Sequence, residues 1–383
     1  MTAGALPLAT CIVVVAALAQ AGDPSAAASL YGKPEVMKFK GGRPAAFSMQ
    51  FDDSMDCHAT FVIPELNKRN LVGTFFINPG LERYTRHTEV WETLCPTHGH
   101  ELANHTMHHA GAKDDEDAAY EIGECSRYIW KLYPEGSKLR PFLGGGGTTW
   151  SCSREVRNAL RREYYLFSGM GGRRRGPRPT GAPGAEARPE GAEGRGPRAE
   201  RPREEREPGR APGRMSCAED RGNGQCVKVA QRALEVGEWY QVGFHGIGEG
   251  WIITSQEHFI EMVDYLAAHR DEIWVATTGS MFKYIEERYA VDSVTLSDAT
   301  ETGFKLAVHC DESKVDTYDL TLPELYDEAL TVQVPVPVSW KRAQVAQGDG
   351  EPVTVEAVEV DGRNCLRVDV LPNLPAATVT VAE

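Results

Sequence analysis

Apolar and polar positions change their period along the chain, and the change divides it. Residues 45–51 are β-prone and run into an acidic pair, and 72–77 repeat that character after a helix-like stretch over 60–69. Strand, helix and strand in that order form a βαβ unit. Ile122, Cys125, Ile129 and Leu132 step by three and four, as do Phe259, Met262 and Leu266, so each set predicts a helix with one apolar face. Strands at 240–244 and 273–276 flank the second of these helices, and the alternation persists to about Tyr289. It predicts an α/β barrel-like domain with functional residues at strand ends. Beyond Val291 the pattern turns to short alternating segments such as 304–308 and 366–370, separated by Asp, Gly and Pro, which predicts a small all-β sandwich over 291–383.

Residues 171–214 interrupt the alternation. They are nearly all Gly, Arg, Pro, Glu and Ala, with no Val, Ile, Leu, Phe, Trp or Tyr. Such a segment has no apolar face to bury and reads as disordered. It is either a solvated insertion or a reading-frame error that overwrote ordinary α/β sequence, and the abrupt change at both ends favours the error. The interleaving of Arg with Glu disfavours a nucleic-acid-binding arm.

Composition narrows the function. At 383 residues two domains are expected, and a formal net charge of -14 argues against nucleic acid as a partner. The apolar run from Leu6 to Leu18, followed by Ala19-Gln20-Ala21, reads as a signal peptide over 1–21, which predicts a secreted or cell-envelope protein with no stable membrane span. The run is short for an anchor, and Cys11 comes too early for a lipoprotein site. Cys57, Cys95, Cys125, Cys152, Cys217, Cys226, Cys310 and Cys365 remain after cleavage, so disulfides are expected, with Cys310 and Cys365 a natural pair.

Three short patches carry the chemistry: Phe51-Asp52-Asp53, His105-Thr106-Met107-His108-His109 and Gly243-Phe244-His245-Gly246. Two carboxylates at a strand end point in different directions, so one can ligate a metal while the other accepts a proton. His105 and His109 are four apart, and on one helical turn they share a face and can close on one ion, with His108 pointing elsewhere. Glu101 and Asn104 are candidate acceptors for the other ring nitrogens. His58, His87, His98 and His100 read as polar surface histidines. His245 follows an apolar run and precedes a glycine turn, a placement suited to a general acid.

The patches resemble the motifs of the NodB-homology polysaccharide deacetylases. Phe51-Asp52-Asp53 looks like the first motif of that family, His105 to His109 its H-T-x-x-H second motif, and Gly243-Phe244-His245 its late apolar-His motif. The resemblance covers about 40–290. It implies a distorted (β/α) barrel, a divalent metal (zinc before others) held by Asp53, His105 and His109, Asp52 as general base and His245 as general acid. The third motif, Arg-x-Pro-Tyr-Gly in type, is matched loosely by Arg140-Pro141-Phe142-Leu143-Gly144, which gives Arg140 as orienter of the base and Phe142 as a backbone oxyanion donor. The fourth, Asp-x-x-Asp-Trp in type, is absent. Glu235 to Trp239 imitates it but lies too close to His245 to take its role.

The expected domains are therefore a signal peptide (1–21), a deacetylase-like barrel (22–290) interrupted at 171–214, and a small β-sandwich-like domain (291–383). The expected activity is metal-dependent hydrolysis of N-acetyl or O-acetyl groups on a carbohydrate polymer such as chitin, peptidoglycan or xylan, in the class of hydrolases acting on carbon–nitrogen bonds other than peptide bonds. The rivals are hydrolysis of a non-sugar amide on the same barrel and an inactive carbohydrate-binding cell-surface protein. Trp150, Trp239 and Trp251 are candidates for stacking on sugar rings.

Overall fold

The computed structural model describes residues 30–169, 213–219, 222 and 225–382. The signal peptide over 1–21 and the low-complexity stretch up to 212 lie outside the described residues. A short strand β1 (Glu35–Val36) precedes a parallel sheet of eight strands: β2 (Ala45–Asp52), β3 (Thr74–Ile77), β4 (Glu101–Asn104), β5 (Arg140–Phe142), β6 (Leu166–Ser168), β7 (Met215–Ser216), β8 (Trp239–Phe244) and β9 (Ile273–Val275). Their order is β6-β5-β4-β3-β2-β8-β7, with β9 on the lower half of β2. Every pairing in this sheet is parallel, and among the described residues helices connect successive strands, the link from β6 to β7 lying outside them; this makes an open, distorted (β/α) barrel.

Strand β2 is its axis. All eight of its residues are buried, as a parallel strand covered on both faces requires. The Phe51 ring stacks on Phe75 of β3 at 4.8 Å and on Phe244 of β8 at 5.3 Å, so the three central strands are locked just below their carboxyl ends. Gly73 is the close-approach position there, because a Cβ would lie 2.8 Å from that same ring.

The helices begin and end where the sequence supplies caps. Helix α1 (Ile63–Lys68) continues a wide helical turn over His58–Val62, and α2 (Asp115–Leu132) starts on Asp114, whose side chain accepts from the Asp117 N–H. Ile122, Cys125 and Ile129 are buried on α2. After α3 (Arg154–Glu163), α4 (Cys226–Val236) stops at Gly237, in the left-handed region at φ 63°. Helices α5 (Gln256–Ala268) and α6 (Thr278–Ala290) are capped by Ser255 and Thr277, and Phe259, Met262 and Leu266 form the buried face of α5. None of the described helices is long and apolar enough to cross a membrane.

The C-terminal part is all-β: β10 (Val291–Thr300), β11 (Gly303–Cys310), β12 (Leu330–Pro335), β13 (Arg342–Ala346), β14 (Val353–Glu356), β15 (Val358–Val360), β16 (Arg363–Val370) and β17 (Ala377–Ala382). They form a five-stranded sheet, β10-β11-β17-β13-β14, and a four-stranded sheet, β1-β12-β16-β15. Val308, Val334, Trp340, Leu366 and Val379 share one core with Phe39, Trp274, Met281 and Tyr284 from the barrel side.

The cysteine expectation is corrected. All eight described cysteines are free thiols, and Cys310 and Cys365 lie on different sheets, their sulfurs donating to the carbonyls of Glu287 and Arg363. Two surface assignments also fail: His58 and His100 are 0% and 1% exposed. The His58 Nε2–H donates to the His245 carbonyl at 2.6 Å, while His100 accepts the Gly73 N–H and donates to Asn67.

Candidate active site

The carboxyl ends of β2, β4, β5 and β8 open into one cleft of about 840 Å³, lined by Asp52, Asp53, His105, His109, Arg214, His245 and Trp251 among others. Three separate patches of sequence thus meet where a parallel barrel exposes its strand ends. Asp52 is the last residue of β2; Asp53 and Ser54 follow with φ of 74° and 50°, so the chain turns sharply and the two carboxylates diverge.

His105 and His109 are not on a helix. Strand β4 ends at Asn104, and the loop after it has Thr106 and His109 at φ of 70° and 55°. Side chains close this turn: Asn104 Oδ1 accepts the Thr106 N–H, and Thr106 Oγ1 accepts the His109 N–H. The imidazoles still meet, at 4.8 Å between ring centroids, because the turn folds back on itself. His108 departs as expected, paired with Glu121 at 2.7 Å.

Asp53 Oδ1 lies 3.2 Å from His105 Nε2 and 3.2 Å from His109 Nε2, and the three donor atoms fall within 4.8 Å of one another. This set fits a divalent cation: one carboxylate and two imidazoles, with a position left open. The tautomer fits as well. His105 Nδ1 donates to the Leu143 carbonyl at 2.8 Å, which leaves the Nε2 lone pair facing Asp53. That carbonyl, and not Glu101 or Asn104, is the imidazole's partner; Glu101 is engaged by Thr74 and the Gly279 N–H, and Asn104 by its own turn and α2. Burial alone would raise the Asp53 pKa, but the hydrogen bond and charge of His105, with His245 and His109 behind it, hold it well below the usual carboxylate range. Burial lowers His109 below an ordinary imidazole, and neighbouring His105 adds to the effect.

His245 follows β8 and brings Nε2 to 3.5 Å from Asp52 Oδ2 and 3.9 Å from Asp53 Oδ2. Burial depresses its pKa, and the two carboxylates oppose that depression. Its Nδ1 is buried and has no hydrogen-bond partner among the described residues.

Arg140 does not reach this site. Its guanidinium lies 3.9 Å from Glu101 Oε1 and over the Tyr133 ring, away from Asp52. Arg140 opens β5 at its amino end, beside Glu101 at the start of β4, whereas the cleft lies at the carboxyl ends of the strands. Phe142 does line the cleft.

Arg214, expected to end the disordered stretch over 171–214, is instead ordered, with its side chain buried and donating to Asp52 Oδ2 at 2.7 Å. One signal for it was present, since Gly243 sits inside β8, and a glycine in a strand interior marks close approach of another group. Of the three tryptophans, Trp239 is core and bonds Ser48, and Trp150 packs partly buried beside α2 and α3. Trp251 alone stands in the cleft, 45% exposed, its Nε1 donating to Asp53 Oδ2 at 3.0 Å. Arg83 donates to the Asp53 carbonyl and lies over the Trp251 ring at 5.3 Å.

Residues 40–164 match the family model for polysaccharide deacetylases. That match spans about a third of the chain and includes Asp52, Asp53, His105 and His109. Among solved structures, this chain is similar to the peptidoglycan deacetylase PdaC from Bacillus subtilis, at 12% identity and a TM-score of 0.39 over 64% of this chain and 93% of that one. It is also similar to a family 4 carbohydrate esterase from Streptomyces lividans in complex with acetate, at 13% identity and a TM-score of 0.36 over 61% and 92% of the two chains. A CE4 family pseudoenzyme from Bacillus anthracis aligns at 11% identity and a TM-score of 0.37 over 62% and 65%. No curated protein matches this chain.

Proposed function

We propose that the protein is a metal-dependent deacetylase that hydrolyses N-acetyl or O-acetyl groups on a carbohydrate polymer such as chitin, peptidoglycan or xylan. One observation carries the reading: a second carboxylate and an imidazole lie beside a carboxylate and two further imidazoles in the same cleft. Asp53, His105 and His109 would hold a divalent ion, zinc before others. When bound, the ion supplies a Lewis acid that polarises the acetyl carbonyl and acidifies water.

The remaining steps belong to the side chains. Asp52 has Oδ2 engaged by Arg214 and facing His245 Nε2 at 3.5 Å, while Oδ1 is buried without a partner among the described residues; as general base the carboxylate would accept a proton from the attacking water. His245 Nε2 delivers a proton to the departing sugar nitrogen or oxygen as the acyl bond breaks, so the products are acetate and a free amine or hydroxyl. Trp251 offers an exposed ring at the mouth for a sugar face. Export, and hence action at the cell wall or outside the cell, rests on the leader-like residues 1–21. The unpartnered His245 Nδ1 is the observation that favours the rival reading, an inactive glycan-binding protein, because a general acid normally has its second nitrogen held.

Acetate release from acetylated chito-oligosaccharide, peptidoglycan and acetylated xylan tests the proposal. A chelator abolishes release, and His245→Ala slows it by roughly 10²–10⁴-fold with metal retained. Glycan binding without acetate release, in folded and metal-loaded protein, refutes the enzyme reading in favour of the binding protein.

A further inference from the structure

We infer that Arg214 is the positioning residue for the Asp52 carboxylate, in the place that the third-motif arginine was expected to fill. The inference rests on the reading of Asp52 as the base and adds a residue from a different strand. Two independent features carry it. First, the Arg214 guanidinium reaches Asp52 Oδ2 at 2.7 Å, with both side chains almost wholly buried at 8% and 6% exposure. A buried ion pair of this kind loses much if one partner is removed, because the other is left uncompensated.

Second, the barrel is built to admit this side chain. Arg214 directly precedes β7, which pairs with β8 in the register Met215 with Val242 and Ser216 with Gly243. A Cβ on Gly243 would lie 1.7 Å from Arg214 Nε and 2.2 Å from Cζ, so the guanidinium crosses β8 over the one residue that has no side chain. Gly243 also pairs with Gln50 of β2, two residues before Asp52, so the crossing aims at the end of the central strand. Neither Arg140 nor any glycine opposite it makes a comparable path, since Arg140 is committed to Glu101 and Tyr133.

The need is local. Asp52 is followed by two residues in the left-handed region, and its Oδ1 has no partner among the described residues, so strand packing alone does not fix its rotamer. Arg214 takes Oδ2, the oxygen that faces His245 Nε2 at 3.5 Å, and thereby fixes how the carboxylate is presented to the cleft. Near-attack geometry tolerates little misplacement of a base, so the arginine acts through Asp52 without touching substrate itself.

The test uses the full chain. Arg214→Ala lowers kcat by roughly 10–100-fold, the usual cost of losing an outer-shell partner, with KM and metal content little changed. Added guanidinium ion restores part of the loss, and Arg214→Lys retains part of it. Gly243→Ala, which keeps the arginine but closes its path, lowers kcat similarly, and the double variant is no worse than either single one. Thermal melts of Arg214→Ala, Asp52→Asn and their double variant give a readout that does not need activity: the losses in Tm fail to add, because the two residues form one pair. Additive losses in Tm overturn the pairing whether or not acetate is released. Non-additive melts with unchanged kcat in Arg214→Ala overturn the positioning role while leaving the deacetylase reading intact. Absence of acetate release by the unaltered protein overturns that reading and, with it, the role in turnover.

Discussion

Two buried histidines make stability fall as the solution is acidified, and His100 allows the effect to be isolated. His100 is 1% exposed, accepts the Gly73 N–H at Nδ1 and donates from Nε2 to Asn67, so its neutral form is built into the turn before β4. Burial, with a smaller push from His98, lowers its pKa from 6.5 to about 4. Burial likewise lowers His58 from 6.5 to about 4, against the pull of the His245 carbonyl and of Asp52 and Asp53. Both groups bind a proton more readily unfolded than folded, so stability is full above the unfolded value of 6.5 and is lost progressively as pH falls toward 4. At about pH 5 each costs about 2 kcal/mol, and the complete displacement is worth about 3 kcal/mol apiece. Glu287 works in the opposite sense, since burial raises its pKa well above an ordinary carboxylate and protonation then favours the fold. The decisive quantity is therefore a difference between variants. Thermal melts of the protein and of His100→Gln, taken near neutrality and near pH 5, measure it; glutamine can accept from Gly73 and donate to Asn67 but does not titrate. The variant should lose less on acidification by about 2 kcal/mol, while His58 keeps its share in both. Identical pH dependence in the two proteins would show that His100 is not held neutral in this way.

Two further outcomes separate roles inside the barrel. Asp52→Asn keeps its metal yet loses turnover, whereas Asp53→Asn loses the metal itself, as metal analysis alongside acetate assays will read; equal metal loss in both variants contradicts the division of the two carboxylates. Gly279→Ala would set a Cβ 2.0 Å from Glu101 Oε1, on a buried carboxylate already fixed by Thr74 and the Gly279 N–H, so the unfolding free energy should fall by about 1–3 kcal/mol in denaturant titration, and an unchanged midpoint counts against that packing.

The barrel was readable because its signals are local: β2, β3, β8 and β9, and the buried faces of α2 and α5, all follow from apolar spacing. The convergence of Asp52, Asp53, His105, His109 and His245 was readable too, because each stands at the end of a strand or just past it. What failed depended on geometry that spacing does not encode. His105 and His109 meet through a turn with two left-handed residues, where a helical interval suggested a helix. Arg140 stands at the amino end of β5, away from the cleft, and Arg214 reaches Asp52 through a gap at Gly243 on a neighbouring strand. His58 and His100 carry a polar residue type that favours the surface, whereas in space they lie against the Phe51 and Phe75 rings.

Strand β1 belongs to the far end of the molecule: Glu35 and Val36 pair with Gln333 and Val332 of β12, and Tyr284 donates to the Met37 carbonyl beside that junction. A ribosome that has made the whole barrel has therefore not yet made what covers its base. Until β12 and β16 emerge, Phe39, Trp274 and Met281 lack the C-terminal half of the core they share, and the strand that opens the described chain has no neighbour. Domains that complete themselves in order of synthesis escape this exposure; a fold stitched shut by its last-made sheet does not. Nascent chains halted before residue 330 should be the ones that chaperones hold, and the C-terminal sandwich is as much a closing seam for the barrel as a unit in its own right.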